Sequence, residues 1–253
     1  MGYIGKKPTD APLTSSDIAD GIISTADLAN TAVTGAKVNT DVISAQTALT
    51  AEPADTDEFL VSDAGVIKRI DYSLIKGGGG LVLLSHTTIS SSTANAAFTS
   101  GIDSTYDAYK FVLSGVRPVT DDVDFHVLFS VDGGSSYLSG NYKYSVTSRD
   151  SGANVEDGSS DSASFILLTG DDVGNESDES FNAEMVLYHP SNTAFHKQIA
   201  FQGVYYDHAS LPNYFLGMGA NSGSVAAVTG IKFQFASGNI AEGSFTMYGI
   251  AKA

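Results

Sequence analysis

Aliphatic residues recur at every fifth position near the start of the chain: Ile18, Ile23, Leu28, Val33, Val38 and Ile43. They fall within three ten-residue units, Thr14 to Ile23 (TSSDIADGII), Ser24 to Val33 (STADLANTAV) and Thr34 to Ile43 (TGAKVNTDVI). Each unit opens on Ser or Thr and closes on Ile or Val, the self-similarity of a linear array. A spacing of five suits no continuous element. In a strand, successive apolar side chains would fall on opposite faces. In an α-helix, each step of five turns the side chain by roughly 140°, so no seam forms. The unit must therefore contain a break. One form is a Ser/Thr-capped helical turn such as Ala26-Asp27-Leu28-Ala29, ended by Asn or Asp-Gly and followed by a short extended piece. Another is a strand-and-turn coil with two corners per unit. A pentapeptide-repeat solenoid is suggested by Ala26-Asp27-Leu28, but by that unit alone. The strict spacing argues against a disordered Ser/Thr/Ala linker. Residues 13–48 cannot bury a core of their own. They need partners, and copies of the same chain are the nearest source.

The pattern changes after this array. Glu58 to Ser62 and Val66 to Ile70 read as two short strands, with Asp63-Ala64-Gly65 supplying the turn of a hairpin. Tyr72 to Lys76 reads as a helical turn, and Gly77 to Gly80 as a hinge. From residue 81 to 253 the alternation is that of antiparallel β-structure, as in Ile231-Lys232-Phe233-Gln234-Phe235. Strands are predicted over residues 81–89, 109–116, 124–131, 142–147, 164–168, 183–188, 196–206, 214–219, 230–235 and 244–250. Turns such as Asp132-Gly133-Gly134-Ser135 and Ser237-Gly238-Asn239 separate them. The fold class is mainly β: a repeat stalk, a small hairpin segment, and a C-terminal antiparallel β-sandwich of jelly-roll-like type.

Charge narrows the partners. The 253 residues carry a formal net charge of −16, which disfavours phosphate backbones and anionic membrane surfaces. With no Cys there is no disulfide framework, zinc-thiolate site or thiol nucleophile. Met1-Gly2 is not followed by the Ser/Thr of a myristoylation signal, because position 6 is Lys. The start lacks the apolar stretch of a signal peptide, and no apolar run of ~18 residues appears. These features predict a soluble product made in the cytoplasm.

Candidate chemistry is sparse. His86, His126, His189, His196 and His208 form no HxH or HExxH pair, and no nucleophile elbow, phosphate loop or cofactor motif occurs. Carboxylates cluster at Asp121, Asp122 and Asp124, and again in the run Asp171 to Ser180 with Asp172, Glu176, Asp178 and Glu179. Paired carboxylates serve glycoside hydrolysis when held in a rigid cleft. Clusters in Gly/Ser-rich loops read instead as solvated surface. Oxygen-rich loops also suit a hard cation such as calcium, though neither run has the D-x-D/N-x-D/N-G spacing. Glycan contact is more credible than hydrolysis, at Tyr205, Tyr206, Asp207, Asn213 and Tyr214, where aromatic rings lie beside hydrogen-bonding groups, although Tyr at strand ends is also common in any sandwich and in trimer contacts.

The opening Tyr3-Ile4-Gly5-Lys6-Lys7-Pro8 resembles the start of fibre-like virion proteins of marine tailed bacteriophages. The ten-residue units, the stretch Glu52 to Asp63, and Tyr109-Lys110-Phe111, Phe129 to Tyr137 and Met247-Tyr248-Gly249-Ile250 are similar to parts of such fibres. The resemblance implies a virion structural protein, and the lack of a persuasive catalytic constellation predicts that it is not an enzyme and needs no cofactor. The resemblance also implies a homotrimer docked on other virion proteins through Tyr3, Ile4, Gly5 and Pro8, with Ile18, Ile23, Leu28, Val33, Val38 and Ile43 as the shared core. Residues 1–12 would be the anchor, 13–48 the stalk, 49–76 a shoulder, 77–80 the hinge and 81–253 an outward head that meets a host surface glycan. A capsid decoration protein or head fibre fits the same chain length, as does a simple glycan-binding module.

Overall fold

A computed structural model describes residues 19–30, 32–39, 41–75 and 80–251. The chain forms two compact units that divide between Ser73 and Leu74. Of the expected hinge, Gly80 is described and Gly77 to Gly79 lie outside the described residues.

In the first unit, strands β1 (Glu58–Asp63) and β2 (Val66–Asp71) pair antiparallel, Asp63 opposite Val66. Ala64 and Gly65 both have positive φ, 50° and 83°. That is the twist of a two-residue primed hairpin turn, which Gly accepts without a Cβ clash. One helical turn, Tyr72–Ile75, follows at once, as the sequence predicts.

The second unit holds twelve strands. They are β3 (Leu81–Ile89), β4 (Ala96–Phe98), β5 (Ala108–Pro118), β6 (Phe125–Ser130), β7 (Tyr142–Asp150) and β8 (Val155–Ala163), then β9 (Ile166–Leu167), β10 (Phe181–Tyr188), β11 (Lys197–Tyr206), β12 (Pro212–Asn221), β13 (Gly230–Phe235) and β14 (Ile240–Ile250). Eight of them form one sheet in the order β3-β14-β5-β10-β11-β12-β7-β8, and four form another, β4-β13-β6-β9. Every pairing is antiparallel. The strands the sequence predicts are all present. Two others, β4 and β8, were not expected.

Alternation drives the sheets together. Inward positions of β5 and β10 carry Tyr109, Phe111, Leu113, Phe181, Met185 and Leu187, all buried. Rings from the smaller sheet mesh with them. Phe98 meets Phe111 at 5.4 Å between centroids, Phe125 meets Phe181 at 5.0 Å, and Phe233 lies within 6.4 Å of Phe98, Phe111, Phe125 and Phe245. Tilted and edge-on rings at these separations add attraction beyond the area they bury. This inter-sheet layer makes the unit a β-sandwich.

His126, on the other face of β6 from Phe125 and Val127, is buried outside that layer. It stacks on Phe165 at 3.6 Å, and its Nε2 has no hydrogen-bond partner. Burial holds its pKa down at about 4, against 6.5 when exposed. Its contribution to stability is therefore complete above pH ~6.5 and disappears as pH falls through ~4. Replacing His126 by Phe keeps the stack and removes the titration; the variant's Tm should fall less than the parent's between these pH values, and equal losses would show that His126 titrates normally. Phe233→Ala empties the centre of the ring cluster and should cost about 3–5 kcal/mol, read from urea unfolding. A cost below ~1 kcal/mol would mean the rings do not set the fold's stability.

Candidate functional site

The stalk has a repeating backbone device. Turn hydrogen bonds close from Ile22 N to Ala19 O, Asp27 N to Ser24 O, Ala32 N to Ala29 O, Lys37 N to Thr34 O and Val42 N to Asn39 O, at 2.8 to 3.2 Å. They start every five residues. Each turn is followed at once by an aliphatic residue, in order Ile23, Leu28, Val33, Val38 and Ile43. Leu28 and Val38 have extended dihedrals, φ −102° ψ 107° and φ −92° ψ 120°. Around Leu28 and Val38 the unit is thus one tight turn plus one extended aliphatic residue, whereas Ile43 lies within a single α-helical turn, Asp41–Ser44. The tight turn is 3₁₀ at Thr25–Asp27 and Gly35–Lys37 rather than the α-type turn through Leu28 and Ala29. The Asp27 carboxylate accepts from both the amide and the hydroxyl of Ser24, at 2.8 and 2.6 Å, which holds its pKa low. Lys37 Nζ donates to Ala32 O across the next junction. All five aliphatic side chains are exposed on the single chain. Ile18 and the anchor residues Tyr3, Ile4, Gly5 and Pro8 lie outside the described residues.

The five expected glycan contacts separate by the parity of their strands. Tyr205 points inward; its hydroxyl donates to Ser148 Oγ and accepts from the Asp171 amide, and burial raises its pKa to about 12. Asp207 is buried, accepting from the Ala209 and Leu211 amides and from Asn213 Nδ2 at 2.8 to 2.9 Å. Asn213 is buried with it. These three fasten a loop from inside and cannot meet a sugar in solvent. Tyr206 and Tyr214 remain exposed.

The two acidic runs, far apart in sequence, meet in space through the bridge Val123↔Val173. Asp124 accepts from Thr169 Oγ1 at 3.1 Å, Asp121 from the Asn175 amide at 3.2 Å, and Asp122 lies 3.1 Å from His208 Nδ1. Glu179 is buried, bonded to the Glu176 amide and the Ser210 hydroxyl, so this loop is not simply solvated surface. Partial burial, with Asp124, Asp122 and Asp171 nearby, pushes the Asp172 pKa up to about 6. Among the described residues, no group of three or more His, Cys, Asp or Glu is placed to hold a metal ion.

A further surface, unmarked by any motif, is the outward face of the large sheet. Outward positions on β11 and β12 include Ala200, Val204, Tyr206, Tyr214, Leu216 and Met218. The face is furrowed: a depression of about 360 Å³ runs between Val112, Gln202, Val204 and Tyr214, and another of about 410 Å³ between Lys143, Gln198, Ala200 and Met218. At its end, Lys197 Nζ donates to the carbonyls of Asn192, Phe195 and Val225, fixing the loops beside exposed Phe195.

No family profile, curated protein or solved structure matches the chain.

The acidic junction has a measurable consequence. Asp172 is easier to protonate folded than unfolded, so its contribution to stability is complete below pH ~4 and is lost as pH rises through ~6. Asp172→Asn keeps a hydrogen-bond donor without the charge. It should raise Tm near pH ~8 and leave it unchanged near pH ~4. The same offset at both pH values would show that Asp172 carries no excess charge repulsion.

Proposed function

We propose that this chain is a structural component of a bacteriophage virion, a short trimeric fibre or fibre-like tail protein. The N-terminal segment docks on the particle and the jelly-roll-like sandwich is the displayed head, contributing to host attachment. Its role is architectural rather than catalytic.

The observation that carries this reading is the turn ladder. Five aliphatic residues, Ile23, Leu28, Val33, Val38 and Ile43, each next in sequence to the amide that closes a turn hydrogen bond, are exposed on their own chain. Fixing a backbone residue costs about 1–2 kcal/mol, which a strip this narrow does not recover alone. Copies of the chain, carrying the same ladder at the same spacing, offer the matching apolar surface. The number three, and the virion, come from the resemblance of the opening residues and the ten-residue units to phage fibres. Of the five residues expected to meet a glycan, Tyr206 and Tyr214 are the two that stay exposed, one on each of two neighbouring strands.

Replacing Leu28 and Val33 together by Asp puts charge on two successive rungs of the ladder. The full-length variant should then run as a single chain of 26.3 kDa in size-exclusion chromatography with light scattering, where the parent runs at three times that mass. A variant that stays trimeric would remove the ladder from the assembly, and a monomeric parent would remove the fibre reading.

A further inference from the structure

An antiparallel sheet covering a core on one side ordinarily presents polar residues on the other. Strand β12 reverses this. Its inward positions are Asn213, Phe215, Gly217, Gly219 and Asn221, and its outward ones are Pro212, Tyr214, Leu216, Met218 and Ala220. The inward glycines are explained by space. A Cβ at Gly217 would lie 2.5 Å from the Phe201 ring, and one at Gly219 would lie 2.6 Å from Ile166. The outward aliphatics have no such internal reason. Leu216 is 46% exposed and Met218 58%, with Gln202 and Ala200 opposite them on β11 and Val204, 53% exposed, opposite Tyr214. A contiguous apolar patch of this kind marks a surface that another molecule covers.

We infer that the outward face of β11 and β12 is a contact between copies of this chain, where the heads of one fibre meet; this rests on the trimeric reading above. Three observations select a second copy as the occupant. First, four of the five side chains at the centre of the patch, Ala200, Val204, Leu216 and Met218, are apolar around the single amide of Gln202, so they would strip water from sugar hydroxyls with little hydrogen bonding in return. Met and Leu side chains instead fit an apolar protein surface, Met adapting to irregular neighbours. Second, this face is poor in carboxylate although the chain carries −16. The outward positions of β7, β10, β11 and β12 hold one acid, Glu184, paired with Lys110 at 2.9 Å, and two further cations, Lys143 and Arg149. Acidic copies approach one another here with the least repulsion. Third, chains joined by their stalks hold their heads at roughly millimolar effective concentration, so a second copy is always at hand.

Met218 reports on the contact directly. Met185 and Met247 are buried in the sandwich, and Met218 is exposed on the free face. Full-length protein is treated with dilute hydrogen peroxide and its sulfoxides are followed by peptide mass spectrometry, against a synthetic peptide of residues 212–221 as the unprotected reference. Met218 should oxidise several-fold more slowly in the full chain than in the peptide. Leu216→Glu should return it close to the peptide rate, while light scattering still gives the parent mass because the stalk is intact. Slow oxidation of Met185 and Met247 in that variant shows that it remains folded. An oligomeric parent whose Met218 reacts at the peptide rate overturns this inference and leaves the fibre reading standing. A monomeric parent overturns both. Protection that appears only when host polysaccharide is added assigns the face to glycan and overturns the contact between copies.

Discussion

The layer of rings between the two sheets is the constraint on which the rest of the head depends. Phe98, Phe111, Phe125, Phe233 and Phe245 must interlock, and a strand can supply them only at alternate positions. Once these rings are inward, the other set of every long strand faces solvent. Where the layer is crowded, as at Phe201 and Ile166, the facing strand gives way and carries Gly217 and Gly219. The inner side of β12 is therefore light, while core packing places no demand on the aliphatic residues of its outer side.

The segment from residue 19 to 43 is under the opposite condition: among its described residues none is buried. Its backbone closes a turn within each five-residue unit, so amide and carbonyl groups are partly satisfied locally. The residue that follows each turn-closing amide is aliphatic each time, even where its own backbone joins the local bonding, as Val38 N does with Gly35 O. A local hydrogen-bond pattern thus sets the spacing of an apolar strip. Such a strip has meaning for stability only when something lies against it.

The sandwich was legible because most of its strands alternate cleanly, Gly230–Phe235 above all. Strand β8 was not, since Val155–Ala163 is an edge strand whose Glu156, Asp157 and Asp161 leave no apolar rhythm. Those charges serve instead to discourage edge-to-edge pairing. Ala96–Phe98 is too short to show a period. The aliphatic spacing of the stalk predicted a break, and two corners per unit were among the forms considered; the 3₁₀ character of the turns depends on backbone bonds that residue types do not specify. For the candidate site, adjacency misled. Tyr205 and Tyr206 are neighbours in sequence but lie on opposite faces, and Asp207 turns back to fasten its own loop. The meeting of Asp122 with Asp172 was invisible for another reason: it depends on the bridge Val123↔Val173 between distant segments.

Charge brings these threads together. A chain of −16 resists association with itself, so the contact proposed between copies is least opposed where carboxylates are sparse. Residues 19 to 43 hold three carboxylates, Asp20, Asp27 and Asp41, against Lys37, a small share of the total. The outward face of β7, β10, β11 and β12 is poorer still in acid, while the acidic junction at Asp122, Asp124 and Asp172 gathers its charge in loops. At physiological salt the screening length is about 8 Å, so acidic groups more than one side chain's length from a contact do little to oppose it. The two apolar surfaces and the acidic loops are then complementary parts of one arrangement, in which hydrophobic contact and net negative charge occupy separate regions of the chain.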